Sequence, residues 1–272
     1  MLKKALREVV NRMPDPLRDT IRERYWQAKS SLLYRHLYRV LDLEYTLPSG
    51  LLMKIGSKGE WWVYNEIFVG HGYDVPIHRA LESRSAARPF TVLDLGANVG
   101  FFFLRVIDLM RQCELRNLSW DITLVEGSPA VHRELQERLR LQGLLGKGLR
   151  VVNGLVGQRS GSGAIRESAI HVKNTILHTR PGNSVKVDFV DLARLMEERP
   201  TVDLLKCDIE GAEQMFIENY GDLLGRVKHA VFEFHHEQCD TGKCARLLEQ
   251  AGFSRQILHS NAEVSICLFS RN

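Results

Sequence analysis

Nine consecutive residues, Val92 to Gly100 (VLDLGANVG), constrain the fold of this chain more than any other stretch. An apolar run ends in Asp94. Gly96, Asn98 and Gly100 follow at alternate positions, and Phe101-Phe102-Phe103-Leu104 comes next. The pattern predicts a buried strand, a tight turn and the start of a helix, the junction at which an α/β sheet holds a nucleoside-type ligand. Gly96 permits positive φ and Gly100 permits close backbone approach, because neither carries a Cβ.

Around that junction, apolar segments of strand length alternate with segments of helical period. Strands are expected over 91–95, 121–126, 149–156, 202–207 and 229–234. Helices are expected over 101–111, 129–142, 190–198, 212–220 and 244–251, and a hairpin joining 255–259 to 264–269 closes the chain. The alternation predicts a doubly wound, mostly parallel, Rossmann-like α/β sheet of seven strands with an antiparallel hairpin at its C-terminal edge. Residues 91–272 form that core. Residues 45–90 precede it, with a hairpin around Pro48-Ser49-Gly50, an aromatic helix over 60–68, a loop over 70–76 and a further helical turn or two over 77–84. Segment 157–163 reads as irregular, and 169–175 and 184–189 are expected to pair as an excursion from the sheet.

The net charge of +4 is unevenly spread. Residues 1–43 hold ten Lys/Arg and five Asp/Glu, which leaves 27 basic and 28 acidic residues for the rest. A near-neutral body argues against a nucleic-acid groove. The basic arm, residues 1–44, has helical stripes at Leu2, Leu6, Val9, Val10 and Met13, and again at Leu17, Ile21, Tyr25, Ala28 and Leu32. It is expected to be an amphipathic helical pair that packs on the body, or else meets an anionic membrane surface or a partner. Five cysteines without a CxxC pair suit free thiols in a reducing compartment. With no secretory pattern and no apolar run of membrane-spanning length, a cytoplasmic protein is expected, peripheral to a membrane if the arm binds one.

The turn lacks the middle glycine of a dinucleotide fingerprint, and no lysine sits where a P-loop needs one. The strand ends carry carboxylates instead: Asp94, Glu126 and Asp208. Ligands of open α/β sheets bind beyond the carboxyl ends of the strands. Acidic groups there suit S-adenosylmethionine, with its ribose diol, ammonium and sulfonium. Glu126 is placed for the ribose hydroxyls, Asp94 and Asp208 for the cationic methionine end, and Asn153 for the adenine edge.

A second block, DLLKCDIEGAE at 203–213, joins VLDLGANVGFF, LVEGSP and VFEFH. Together these resemble the FkbM-type methyltransferases, a group of class I S-adenosylmethionine-dependent enzymes. The stretch GSKGEWWVYNEIFVGHGYDVP is similar to that family's pre-core segment, which ends in a Tyr-x-x-Pro element at Tyr73 and Pro76. The resemblance spans about 47–269 and implies a class I methyltransferase fold, that cofactor, and methylation of a hydroxyl on a small molecule, carbohydrate or polyketide-type acceptor. A non-catalytic cofactor- or partner-binding module on the same fold is the alternative. Cys207 departs from the family pattern, where an aliphatic residue is commoner.

An alcohol is a poor nucleophile until its proton is taken. The expected machinery is Asp208 beside the cofactor, His235 or His236 as base, and Glu210 orienting the acceptor. A metal-free site is expected. The alternative is a divalent ion on Asp208, Glu210 and one histidine. Lys206, charged in an apolar strand, needs a carboxylate partner, or else serves as a base once desolvated. Trp61, Trp62, Tyr64 and Tyr73 are candidates for a lid or acceptor wall, or for ordinary packing.

Overall fold

The computed structural model describes residues 36–38, 40–41, 43–146, 148–166, 176–177 and 184–271. The helical arm expected over 1–44 and the segment 169–175 fall almost wholly outside the described residues. In chain order the elements are β1 (Leu43–Thr46), β2 (Leu52–Ile55), α1 (Lys58–Tyr64), a π-helical turn (Asn65–Val69), α2 (Asp74–Glu82), β3 (Phe90–Leu95) and α3 (Phe101–Gln112). There follow β4 (Trp120–Glu126), α4 (Pro129–Leu141), β5 (Leu149–Asn153), β6 (Ser162–Arg166), β7 (Ile176–Leu177), β8 (Ser184–Asp188) and α5 (Leu192–Leu195). The chain closes with β9 (Val202–Cys207), α6 (Glu213–Asn219), α7 (Gly221–Leu224), β10 (Val227–His235), α8 (Thr241–Gln250), β11 (Ser254–Ser260) and β12 (Val264–Ser270).

Seven strands form the central sheet in the order β11-β12-β10-β9-β3-β4-β5. The five from β10 to β5 are parallel, and β12 runs antiparallel to both its neighbours. The chain winds outward from β3 through β4 and β5, then returns to place β9 on the other side of β3. That reversal makes a topological switch point between β3 and β9, where open α/β sheets bind ligands. Strands β3 and β9 are buried at every residue, as a sheet covered on both faces requires.

Side chains alternate between two cores. Val92, Ile122, Leu124, Leu204 and Val231 pack with α3 and the pre-core helices, whereas Leu93, Leu95, Val125, Leu205 and Phe232 pack on the opposite face. Local signals set the element ends. Ser57 accepts from the Glu60 N–H while Glu60 reaches back to the Gly56 N–H, so α1 opens on a reciprocal cap. Ser128 caps α4 ahead of Pro129. Two expectations change. Helix α2 starts at Asp74, not 77, because Pro76 is tolerated in a first turn. Strand β8 pairs with β6, whose first two residues belong to the stretch expected to be irregular, and the expected partner segment 169–175 lies outside the described residues.

At the far end of β9, Asp203 is fully buried. Its carboxylate accepts two hydrogen bonds from Arg88, at 2.7 and 2.6 Å, and one from the Thr91 N–H at 3.0 Å, with Lys228 at 3.3 Å. Removing it leaves two cations and a strand N–H without their acceptor. Asp203→Ala is therefore expected to lose about 3–5 kcal/mol of stability in urea denaturation. A loss below about 1 kcal/mol would show that solvent replaces the pair.

Candidate functional site

The two-residue period of the strands assembles the site. On β3, β4 and β9 the even-numbered residues face α3, so Asp94, Glu126 and Lys206 project to that side, with Asp208 two residues past Lys206. Asp94 lies opposite Lys206 in the ladder. On β10 the parity shifts, because Val231 pairs with Lys206, and Glu233 and His235 follow it on the same face. Six polar side chains from four neighbouring strands thus share one face at the carboxyl end of the sheet.

The glycine turn is built for close approach between β3 and the end of β9. Gly96 has φ +77, and a Cβ there would lie 1.7 Å from the Asp208 carbonyl oxygen. Gly100 has φ +89 and abuts Leu135. Asn98 takes the left-handed region at φ 49. Turn amides are already engaged: Gly96 and Ala97 N–H donate to the Val125 carbonyl, Gly100 N–H to Ala97, and Asn98 N–H to Glu126 at 2.9 Å. Such a turn has few donors left for a phosphate, in keeping with the expectation from sequence.

Lys206 stands at the centre. Its ammonium donates to the Gly96 carbonyl at 2.7 Å and lies 3.5 Å from Asp94 Oδ1 and 3.3 Å from Asp208 Oδ2. Burial opposes its charge, but Asp208 and Asp94 outweigh burial and hold the ammonium above its usual range. Lys206 is therefore a charged structural partner and not a base. Burial pushes Asp94 up to about 6 against the pull of Lys206. Glu126 is raised by burial, opposed by hydrogen bonds from the backbone N–H groups of Ser128 and Asn98.

Beside the turn lies a cavity of about 380 Å³, within the range of small-molecule sites. Gly96 to Val99 and Lys206 form its floor, and Val63, Ile67, Phe101 and Phe102 form an apolar wall. Six acidic residues line it: Glu66 from the π-helical turn, Asp208, Glu210, Glu233, Glu237 and Glu263. Tyr73 donates its hydroxyl to Glu233 Oε2 at 2.9 Å. Burial, reinforced by Asp208, raises Glu66 to about 7 and Glu210 to about 8, and lifts Glu233 well above the carboxylate range.

His235 meets carboxylates on both ring nitrogens. Nε2 is 3.4 Å from Glu210 and 3.8 Å from Glu233, and Nδ1 is 3.8 Å from Glu213. Burial disfavours the charged ring, but Glu213, Glu210 and Asp208 push it up to about 10. These carboxylates favour the protonated ring, so a histidine acting as base would first have to give up that proton.

The sequence-derived residues divide as follows. Gly96, Asn98, Asp208, Glu210 and His235 line the cavity. Gly100 supports the turn from below. Asp94 is fully buried and faces Lys206, so its charge is matched inside the protein and not offered to a ligand directly. Glu126 flanks the turn, with one N–H on each carboxylate oxygen. His236 turns away, its Nδ1 3.2 Å from the Ala262 carbonyl, because it follows His235 with opposite parity. The Asn153 amide donates to the carbonyls of Glu126 and Gly127, tying β4 to β5 and leaving only its oxygen for an adenine edge. Of the pre-core aromatics, Tyr73 lines the cavity while Trp61 and Trp62 are exposed. Glu66 went unnoticed in the sequence; a lone acid beside Ile67 and Phe68 was the available signal.

The strand order and the switch point define a Rossmann-like α/β fold. Residues 94–262, more than half of the chain, match the family described as the methyltransferase FkbM domain, and the chain belongs to that family of S-adenosylmethionine-dependent methyltransferases. A search of curated proteins finds no match. Among solved structures, a precorrin-6y C5,15-methyltransferase from Geobacter metallireducens GS-15 is 13% identical with a TM-score of 0.44, over 73% of this chain and 87% of that one. A SAM-dependent methyltransferase from Agrobacterium tumefaciens is 11% identical with a TM-score of 0.46, over 85% and 70%. The magnesium protoporphyrin IX methyltransferase of Synechocystis PCC 6803, solved with bound SAM, is 12% identical with a TM-score of 0.41, over 78% and 84%.

Proposed function

We propose that this methyltransferase acts on a hydroxyl of a small molecule or of a carbohydrate or polyketide-type acceptor. The observation that carries this reading is the acidic lining of a cavity that opens on the glycine turn. A hydroxyl finds hydrogen-bonding carboxyl oxygens on several sides there, and carboxyls raised toward neutral pH by burial can take up its proton. The cofactor, when bound, supplies a sulfonium methyl that leaves behind a neutral thioether.

The chain's own residues fit that cofactor. Asn98 Oδ1 is a buried acceptor with no partner, in the cavity lining, and suits an ammonium or hydroxyl. Each Glu126 oxygen keeps a second lone pair beyond the N–H it already accepts, which suits a ribose diol. Asp208 places negative charge beside the position of the donor. Phe101, Phe102 and Val63 exclude water from one side, so that the acceptor oxygen is held in line rather than hydrated. The acceptor proton passes to a cavity carboxylate. No helix among the described residues is long and apolar enough to cross a membrane, and contact between the 1–44 arm and a membrane surface is part of the proposal.

Two measurements test this. Glu126→Ala is expected to weaken S-adenosylmethionine binding by about 10–100-fold in calorimetry, the loss of charge-assisted hydrogen bonds. Unchanged affinity would place the ribose elsewhere. Labelled methyl transfer to a panel of neutral glycosides and polyols should give base-stable methyl ethers. Methyl esters or methylamines as the sole products would refute hydroxyl methylation.

A further inference from the structure

We propose that Asp208, Glu233 and His235 form a binding site for one divalent cation, open on the cavity side to an acceptor oxygen. One ligand atom from each of these residues lies within 4.8 Å of the others. The convergence follows from the sheet: Glu233 and His235 are two residues apart on β10, and Asp208 leaves the adjacent β9 on the same face. The alternative raised from sequence places an ion on Asp208, Glu210 and one histidine; the register of β10 on β9 brings Glu233 into that set in place of Glu210.

The residues behind this triad hold it as outer partners of a metal site hold its ligands. His235 Nε2 faces the cavity carboxylates, while its Nδ1 is a buried nitrogen without a hydrogen bond, 3.8 Å from Glu213 Oε1. Glu213 is itself fully buried. Its Oε1 is fixed by the N–H groups of Ile209 and Gly211, at 3.0 and 3.1 Å, and its Oε2 has no partner at all. A buried carboxylate 3.8 Å behind one ring nitrogen, with the other nitrogen toward two carboxylates, approaches the carboxylate–histidine–metal arrangement, which a closer Nδ1–Glu213 contact would complete. Tyr73 likewise holds Glu233 by Oε2, which leaves Oε1 on the side of His235. Ligation needs the unprotonated ring, so a cation takes the place of the proton on Nε2.

Two carboxylates and one imidazole leave part of the coordination sphere free, and mixed oxygen and nitrogen donors suit Mn2+ better than Ca2+. A hydroxyl in that free position would be acidified by the ion, so that Glu66 or Glu210 need only receive a proton already loosened. This role for the ion rests on the methyl-transfer reading, whereas the binding site does not.

The test is titration of the folded full-length chain with Mn2+, free ion being counted by electron paramagnetic resonance, with S-adenosylmethionine affinity measured in parallel. Wild type should bind about one equivalent. Glu233→Gln and His235→Gln should each weaken it by at least ~10-fold, and Glu213→Gln by about 10–100-fold without itself touching the ion. Thermal unfolding confirms that each variant is folded, and His236→Ala, which faces Ala262, should bind as wild type does. No saturable binding by folded wild type, or binding unaffected by both ligand substitutions, would overturn the site. Mn2+ binding without S-adenosylmethionine binding would keep the site and remove the methyl-transfer role.

Discussion

Gly96→Ala is expected to destabilise the protein by about 3–5 kcal/mol and to abolish cofactor binding. Two costs add at this residue. A side chain at φ +77 is strained by about 1–2 kcal/mol. The new Cβ would also sit 1.7 Å from the Asp208 carbonyl oxygen, a backbone atom that cannot rotate away. Relief requires β3 and the end of β9 to part, which breaks the Asp208 N–H bond to Leu95 and the Lys206 bond to the Gly96 carbonyl. Gly50→Ala isolates the first cost, because Gly50 has φ +82 with nothing near its absent Cβ. Urea denaturation should separate the two variants clearly, and calorimetry should find cofactor binding lost only in the first. Equal stabilities would show that the close approach is unimportant.

The second large effect falls on chemistry. Asp208→Asn keeps the side-chain shape and should leave the fold intact, since Asp208 is part-exposed and Lys206 retains Asp94 and the Gly96 carbonyl. Turnover is expected to fall by ~10³-fold, within the range seen when a charged group acting on the reacting atoms is removed. His236→Ala is the contrast and should stay within a few-fold of wild type. Steady-state kinetics on the acceptor identified by labelling decides between them. Near-normal turnover in Asp208→Asn together with a collapse in His236→Ala would reverse the assignment.

These two residues also mark how far the sequence could be read. The Val92–Gly100 pattern specified a strand, a turn and a helix because each has its own period and its own residue requirement. The acids at strand ends were legible for the same reason: Asp94, Glu126 and Asp208 each stop an apolar run. Which of them meets the cavity was not legible. That depends on Lys206, which lies opposite Asp94 in the ladder and neutralises it, a pairing set only when β9 docks beside β3. The choice between His235 and His236 is a question of parity at the end of β10, fixed by its register with β9. Glu66 and Tyr73 come from segments far away in the chain, and their arrival over Glu233 reflects how the pre-core helices pack on the sheet. Asn153 stands at the right strand end, but its amide had a local use that sequence does not rank above a ligand. Strand β6 was not legible because Ser162 and Gly163, its first residues, end a Gly/Ser-rich stretch that reads as loop, whereas tertiary pairing with β8 overrides weak strand propensity.

The carboxylate-bearing face of this sheet is expected to seat the methyl donor. A crystal structure of the chain with S-adenosylhomocysteine answers that most directly. The prediction is a ligand lying along Gly96–Val99, its ribose hydroxyls on Glu126 and its amino-acid end toward Asn98 and Asp208. A ligand bound at any other place, with Glu126 still holding only the Asn98 and Ser128 amides, would contradict it.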